Sequence, residues 1–465
     1  MQWFSGFSGT TGCCVVTQEK AAFWSDGRYV AQMVRELDQD VFECINTSDP
    51  TSLSWTEWVC KNVTSGGVLA MDGEVLSYAD FKKPESFFSQ YNISIKHDKN
   101  LPGDLWEDRP AIPDAPIWEL ELKYAGKSRE DKLSLVREKM AEKNATHYLG
   151  CSLDDMAWLT NLRGGDHPLY PIFHGYVIIT PDQACVCVDV EKIPAKLQEK
   201  LNIAGFTLYP RSAAPELLAQ IPTGSKILVD PYKATLQLYA SIPEGVTKLE
   251  QMDLVAFIKN QKNPVEQENI RKSNIKEGVA VCRYIRHIYD RMEKGPVTEM
   301  DLVHDLEIVR KMDPEYVQPA NLGIIAYGEN AALPHYRPTE EVFSTLKPEG
   351  MLLFDVCAHY LTGTTDITRV IPLGPVTEEM REDYTLALKS NITLVQEECV
   401  NEFGRFLKFE TVTFIPYDRS LIVKELLTPF ELDWINNYHE ETYQKLSPYL
   451  NEEECAWLRE ATLPL

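Results

Sequence analysis

The sequence predicts an α/β protein of several domains. Three observations carry that reading: a chain of 465 residues, a faint internal repeat built from paired strands, and long helical patterns between strand-rich segments. At this length one hydrophobic core does not suffice, and the usual domain size gives about two to four. Hydrophobic residues at 44%, charged residues at 25% and aromatics at 10% are the balance of an ordinary folded protein, which disfavours disordered and fibrous classes.

The repeat emerges when Val15-Val16-Thr17 through Asp26 is set without gaps on Ile178-Ile179-Thr180 through Asp189. Thr17/Thr180, Ala21/Ala184 and Asp26/Asp189 then coincide. Just upstream, Trp3-Phe4-Ser5-Gly6-Phe7-Ser8-Gly9 mirrors Trp158-Leu159-Thr160-Asn161-Leu162-Arg163-Gly164. In each copy two β-rich runs flank a polar turn, Thr17 to Lys20 or Thr180 to Gln183, and this predicts two hairpins. A helix precedes the second copy, with Ser128 as its cap, Glu130 and Asp131 in its first turn, and a stripe of Leu133, Leu135, Val136 and Met140. No such helix precedes the first copy, so a strand and a helix are expected to be missing ahead of it.

Arg109-Pro110-Ala111-Ile112-Pro113-Asp114-Ala115-Pro116 is a stiff, Pro-rich link that separates the copies. A third region opens near Lys259-Asn260-Gln261-Lys262-Asn263-Pro264, with a helical pattern from Glu266 to about Met292. A further helix starts at Thr298, where Asp301 three residues on makes a capping-box variant. The expected domains are 1–110, 116–255, 256–410 and 411–465.

The formal charge of −24, unrelieved by any Lys/Arg run, argues against a nucleic-acid partner. Nowhere is there an apolar stretch long enough to span a bilayer, and the first residues lack the features of a secretory leader, so a cytoplasmic protein without membrane partners is expected. The eleven cysteines are odd in number, scattered and without a C-x-x-C pair. They read as thiols rather than as a disulfide framework.

The chemistry concentrates late in the chain. Met351 to Ala358 reads as a buried strand, Leu361-Thr362-Gly363 as a turn, and Thr364 to Ile371 as the returning strand. Asp355 and Asp366 are expected to face one another across this hairpin. A carboxylate inside an apolar run is costly without compensation, and two close carboxylates repel unless they share a proton or bind a cation. Glu410, among the aromatic and β-branched residues of Arg405 to Phe414, is a third acid in the same situation. Hard oxygen ligands of this kind suit Mn²⁺ or Mg²⁺ or, with histidine, Zn²⁺ or Co²⁺. The plain alternative for each acid is a place on a partly exposed strand face. His335 follows a Gly/Asn/Pro-rich loop, where a histidine is more often solvated than functional.

Tyr327-Gly328-Glu329-Asn330-Ala331-Ala332, His335-Tyr336, Asp355, Gly363 to Arg369 and Phe406-Leu407-Lys408-Phe409-Glu410 together resemble Xaa-Pro aminopeptidases of the creatinase/prolidase superfamily. So do Phe4 to Gly9, Trp24 to Tyr29, Tyr124 to Lys127, Ser152 to Leu159 and Trp434 to His439, and the resemblance runs over nearly the whole chain. It implies two creatinase-type α/β domains ahead of a pita-bread catalytic domain holding two divalent metals, usually manganese. The implied metal ligands are Asp355, Asp366 and Glu410, with the latter two bridging the pair. His335 becomes the catalytic, substrate-holding histidine. Arg28 becomes a substrate-binding residue that reaches across a homodimer interface. The implied reaction is release of the first residue from peptides with proline in second position.

One departure is sharp. The family places a metal-binding histidine and a metal-binding, general-base glutamate between the matches to Asp366 and Glu410, and neither is present. A helical pattern from Thr377 to about Val400, with Leu386, Leu388, Ile392 and Val395 as apolar positions, fills most of that interval. The favoured reading is a working aminopeptidase whose sequence lacks an internal segment. The alternatives are a catalytically impaired binding or scaffold relative, and another reaction of the same fold such as dipeptide or creatine hydrolysis.

Overall fold

Thr17 and Thr180 occupy equivalent turns. Each hydroxyl oxygen accepts backbone N–H groups two and three residues on, from Glu19 and Lys20 or from Asp182 and Gln183. These turns close the two expected hairpins, β1 (Cys13–Val16) with β2 (Ala21–Ser25) and β7 (Gly175–Ile179) with β8 (Ala184–Val188), in a computed structural model that describes residues 1–394, 400–401, 404–405 and 409–465. The chain divides into two compact units, 1–265 and 266–465.

In the first unit the likeness of the two copies goes beyond their hairpins. β2 runs parallel to β3 (Phe42–Asn46), just as β8 runs parallel to β9 (Thr207–Pro210). Further on, β4 (Val68–Ala70) pairs in parallel with β5 (Ser94–Lys96), as β10 (Lys226–Val229) pairs with β11 (Thr247–Glu250). The second copy is one six-stranded sheet, ordered β9-β8-β7-β6-β10-β11, because β6 (His147–Gly150) joins β7 to β10. Among the described residues no strand does this in the first copy, whose sheet stands in two pieces. β6 is delivered by α1 (Arg129–Glu142), which Ser128 caps by accepting the Asp131 N–H. Leu133, Val136 and Met140 of the expected stripe are buried, while Leu135 is only partly covered. The copies meet through matching turns: Tyr78 N–H donates to the Ala234 carbonyl at 2.9 Å, and Leu236 N–H donates to the Leu76 carbonyl at 2.8 Å. Tyr78 and Tyr239 stack beside that exchange, 3.5 Å between ring centroids.

The second unit is built around α2 (Pro264–Lys294) and α3 (Glu299–Arg310), whose capping box of Thr298 and Asp301 is formed as expected. Against them lies the long hairpin of β14 (Met351–Tyr360) and β15 (Gly363–Pro372), paired in register over all ten residues. The other edge of β14 carries two short strands end to end, β12 (Tyr316–Pro319) and β13 (Ile324–Tyr327). Period-two alternation puts Leu352, Phe354 and Val356 into the core with Val281, Tyr284, Ile285 and Leu302. Met351, Leu353, Asp355, Cys357 and His359 occupy the opposite face.

The helix after the hairpin, α4, is described over Glu378–Leu394. Leu388 and Ile392 are buried as expected, Leu386 is 52% exposed, and Val395 lies outside the described residues. Val400–Asn401 is a short strand paired with Gly404–Arg405, so the helical pattern does not reach Val400. The plain alternative for Glu410, a place on a strand face, does not hold among the described residues. Residues 409–418 have no regular structure, and Phe409 is 78% exposed. A strand needs a neighbour to satisfy its backbone, and among the described residues none pairs with 409–418. The remaining helices, α5 (Pro429–Leu446) and α6 (Glu452–Ala461), both open with capping boxes. Among the described residues no helix is long and apolar enough to cross a membrane, and the ten cysteines are free thiols.

Candidate metal centre

Register decides which side chains meet. Cys357 stands opposite Asp366, and Asp355 stands opposite Thr368, so the two aspartates are diagonal neighbours rather than a facing pair. Asp355 and Cys357 are two residues apart on one strand and therefore share a face. On that face Thr364, Asp366 and Thr368 of β15 are exposed, in contrast to the buried Thr365 and Ile367 between them. One donor atom from each of Asp355, Cys357 and Asp366 lies within 4.8 Å of the other two. The Cys357 thiol donates to Asp366 Oδ1 at 3.1 Å.

The segment that bears these groups is clamped from its free edge. Where the pairing of β12 gives way to that of β13, the Asn321 side-chain amide donates to the Asp355 carbonyl at 3.1 Å. Its oxygen accepts the Cys357 N–H, also at 3.1 Å. One asparagine thus stands in for a missing stretch of ladder and keeps Asp355 and Cys357 in strand geometry.

Electrostatics single out Asp355. Its Oδ1 is shielded from solvent and has no hydrogen-bond partner. Burial, reinforced by the negative charge of Asp366, pushes its carboxyl above the usual range, and a hydrogen bond from the Thr368 hydroxyl pulls the other way. Burial and the Asp366 carboxylate likewise push the Cys357 thiol up. An orphaned carboxylate oxygen beside a second acid and a thiol is a donor set that fits one divalent cation.

The other expected site residues are not part of this donor group. Glu410 is exposed and outside this donor cluster. Its carboxylate accepts two hydrogen bonds from the Arg271 guanidinium, at 2.7 and 2.8 Å. His335 sits half-buried in the turn after Gly328–Ala332 and is not in the cluster either. Arg28 belongs to the first unit, where it forms a two-point pair with Asp26 at 2.7 and 2.8 Å. His439 is fully buried in the second unit, its Nε2 accepting the Tyr417 N–H at 3.2 Å, and is part of that core.

Three further residues escaped the sequence reading. Cys357 was within reach of it, since a strand period of two puts residue i+2 beside Asp355. Asn321 and Glu299 were not, because each acts across a chain separation that no local pattern reveals. Glu299, fully buried at the start of α3, accepts hydrogen bonds from Tyr327 N–H, the Asn330 amide, Tyr336 Oη and Ser344 N–H, and so ties down the loop that carries His335.

Family models account for nearly all of this chain. The Creatinase/Prolidase N-terminal domain matches residues 1–94 and again 108–266, the Metallopeptidase family M24 matches 268–401, and the C-terminal region of peptidase M24 matches 405–465. Probable Xaa-Pro aminopeptidase P of Tuber melanosporum is 27% identical over 574 aligned residues, covering 100% of this chain and 93% of the relative. Xaa-Pro aminopeptidase ApepP of Drosophila melanogaster is 27% identical over 563, covering 99% and 91%. The chain belongs to the Xaa-Pro aminopeptidase family of M24 metallopeptidases. An alignment of 574 positions over a chain of 465 residues means that these family members carry internal segments absent here. The fold is that of the X-prolyl aminopeptidase from Caenorhabditis elegans, described as a cytosolic enzyme with a di-nuclear active site. That match has a TM-score of 0.94 at 22% identity and covers 100% of this chain and 92% of the other.

Proposed function

We propose that this chain is a metal-dependent aminopeptidase that releases the first residue of peptides whose second residue is proline. The observation that carries the reading is the diagonal pair of Asp355 and Asp366 on one hairpin face, with an orphaned oxygen on the first, in a chain that aligns along its length with Xaa-Pro aminopeptidases. Asp355 and Asp366 hold the cation, and Glu410 joins them only after leaving Arg271. A divalent metal bound there supplies a Lewis acid and lowers the pKa of its water. Asn321 keeps the two ligand-bearing positions in register. The Glu299-anchored loop presents His335 to the peptide, whose proline amide offers no N–H and a restricted φ.

The resemblance implies manganese as the metal; a homodimer to which Arg28 contributes as a substrate-binding residue and a cytoplasmic setting are parts of the same proposal. A binding or scaffold role finds no support among relatives that carry aminopeptidase names. The test is hydrolysis of Xaa-Pro-Yaa tripeptides, Xaa-Pro dipeptides and creatine under added Mn²⁺, Co²⁺ or Zn²⁺. Release of the first residue from the tripeptides, abolished by Asp366→Asn, is expected. Turnover that survives this substitution, or no turnover with any metal, would overturn the proposal.

A further inference from the structure

We infer that Cys357 is a protein ligand of the cation held by Asp355 and Asp366, and that its sulfur shifts this site's preference from Mn²⁺ and Mg²⁺ toward Zn²⁺ and Co²⁺. The inference rests on the reading of the two aspartates as metal ligands and goes beyond it by adding a donor of different chemistry.

Geometry supplies the first argument. Cys357 is the cross-strand partner of Asp366 and the same-face neighbour of Asp355, so the hairpin register that joins the aspartates also brings in the sulfur. All three donors lie within 4.8 Å of one another, and the Sγ–Oδ1 separation of 3.1 Å already approaches what one small cation requires. Zn–S distances of about 2.3 Å and Zn–O distances of about 2.0–2.2 Å place tetrahedral ligand atoms roughly 3.5 Å apart. The Asn321 clamp, which accepts the Cys357 N–H, fixes the cysteine backbone as firmly as that of Asp355.

The donor inventory supplies the second. Glu410, the third acid that the resemblance assigns to the metal, is engaged by Arg271. Among the described residues, the third donor assembled with Asp355 and Asp366 is a thiol. Thiolate is a soft ligand that widens the preference for Zn²⁺ and Co²⁺ over Mn²⁺ and Mg²⁺, whereas hard carboxylate ligands suit Mn²⁺ and Mg²⁺ and discriminate less. Binding balances simply: the S–H proton now donated to Asp366 is released to solvent, and the sulfur lone pair passes to the metal.

The test is anaerobic titration of the reduced, full-length chain with Co²⁺. The expected result is a near-ultraviolet thiolate-to-cobalt charge-transfer band that disappears in Cys357→Ser and Cys357→Ala. In competition, either variant should weaken Zn²⁺ binding by at least the roughly 10- to 100-fold that losing an outer-shell partner costs. Cys357→Asp should move the preference back toward Mn²⁺. As a check needing no variant, Zn²⁺ should protect Cys357 from alkylation, read by peptide mass spectrometry, while circular dichroism monitors folding of each variant. Cobalt d–d absorption without the charge-transfer band, unchanged in Cys357→Ser but lost in Asp366→Asn, would overturn this inference and leave the two-aspartate site intact. A band that persists in both Asp355→Asn and Asp366→Asn would overturn it too, since the sulfur would then belong to another site. No cobalt binding at all would remove both readings.

Discussion

The Glu299 carboxylate accepts the Tyr336 hydroxyl at 2.7 Å, one residue beyond His335, and with its other contacts gathers both ends of the 327–344 loop. An acid with no exposed surface that satisfies four separate donor groups is a positioning residue for that loop. Glu299→Gln turns one acceptor into a donor facing donors, and this should cost about 2–3 kcal/mol of stability in the second unit. The kcat/KM should fall roughly 10- to 100-fold through loss of His335 placement. Metal content at the Asp355–Asp366 site should not change, and elemental analysis beside steady-state kinetics checks the separation.

The pair of Arg271 and Glu410 is exposed on both sides, which makes it a weak contributor to stability despite its two-point geometry. Arg271→Ala should change the melting temperature of the second unit only slightly, in keeping with less than about 1 kcal/mol for an exposed ion pair. Freed of its cation, Glu410 should tighten binding of Mn²⁺, measured by calorimetric titration. Weaker binding would show that Glu410 and the metal do not meet.

How much of this was legible in the sequence depended on the range of the forces involved. Hairpins, caps and amphipathic stripes are local, and Thr17, Ser128 and Thr298 act as their immediate neighbours dictate. The repeat was visible at three shared residues, yet its full extent lies in strand pairings between residues some twenty apart, such as β2 with β3 or β10 with β11. Asp355 stood out because an acid in an apolar run demands compensation. Its exact partner did not, since a shift of two residues in register exchanges a facing aspartate for a facing cysteine. For Glu410 the plain alternative was a strand face, suggested by its β-rich neighbours, but strand propensity has no effect without a strand to pair with. Leu386 failed for a related reason: an apolar residue in a helical pattern is buried only where another element covers it.

His439 gives the second unit an acid limit. Burial, with Arg419 and Arg369 nearby, lowers its pKa to about 4, and the neutral ring accepts the Tyr417 N–H. In the unfolded chain the imidazole titrates near its ordinary value of about 6.5, so the unfolded state binds more protons between these two values. The stabilisation is complete above about pH 6.5 and is lost as pH falls toward 4, amounting to about 3 kcal/mol. Calorimetry of the second-unit transition from pH 7 to pH 4 should show this decline, and His439→Gln should flatten it.

Asp253 gives the first unit the opposite dependence. Its carboxyl is pushed up to about 6 by burial and by the charge of Asp155, against the hydrogen bond it accepts from Tyr148 Oη at 2.7 Å. A folded pKa above the unfolded one means that the native state binds the extra proton, so its contribution is complete below about pH 4 and is lost as pH rises through 6. At neutral pH the first unit therefore forgoes about 3 kcal/mol. Asp253 also caps the helix Leu254–Lys259 by accepting the Val255 and Ala256 N–H groups, a role asparagine performs equally well. Asp253→Asn should raise the first-unit melting temperature at pH 7.5 and leave it nearly unchanged at pH 4. A gain of equal size at both pH values would mean that Asp253 is not the titrating group.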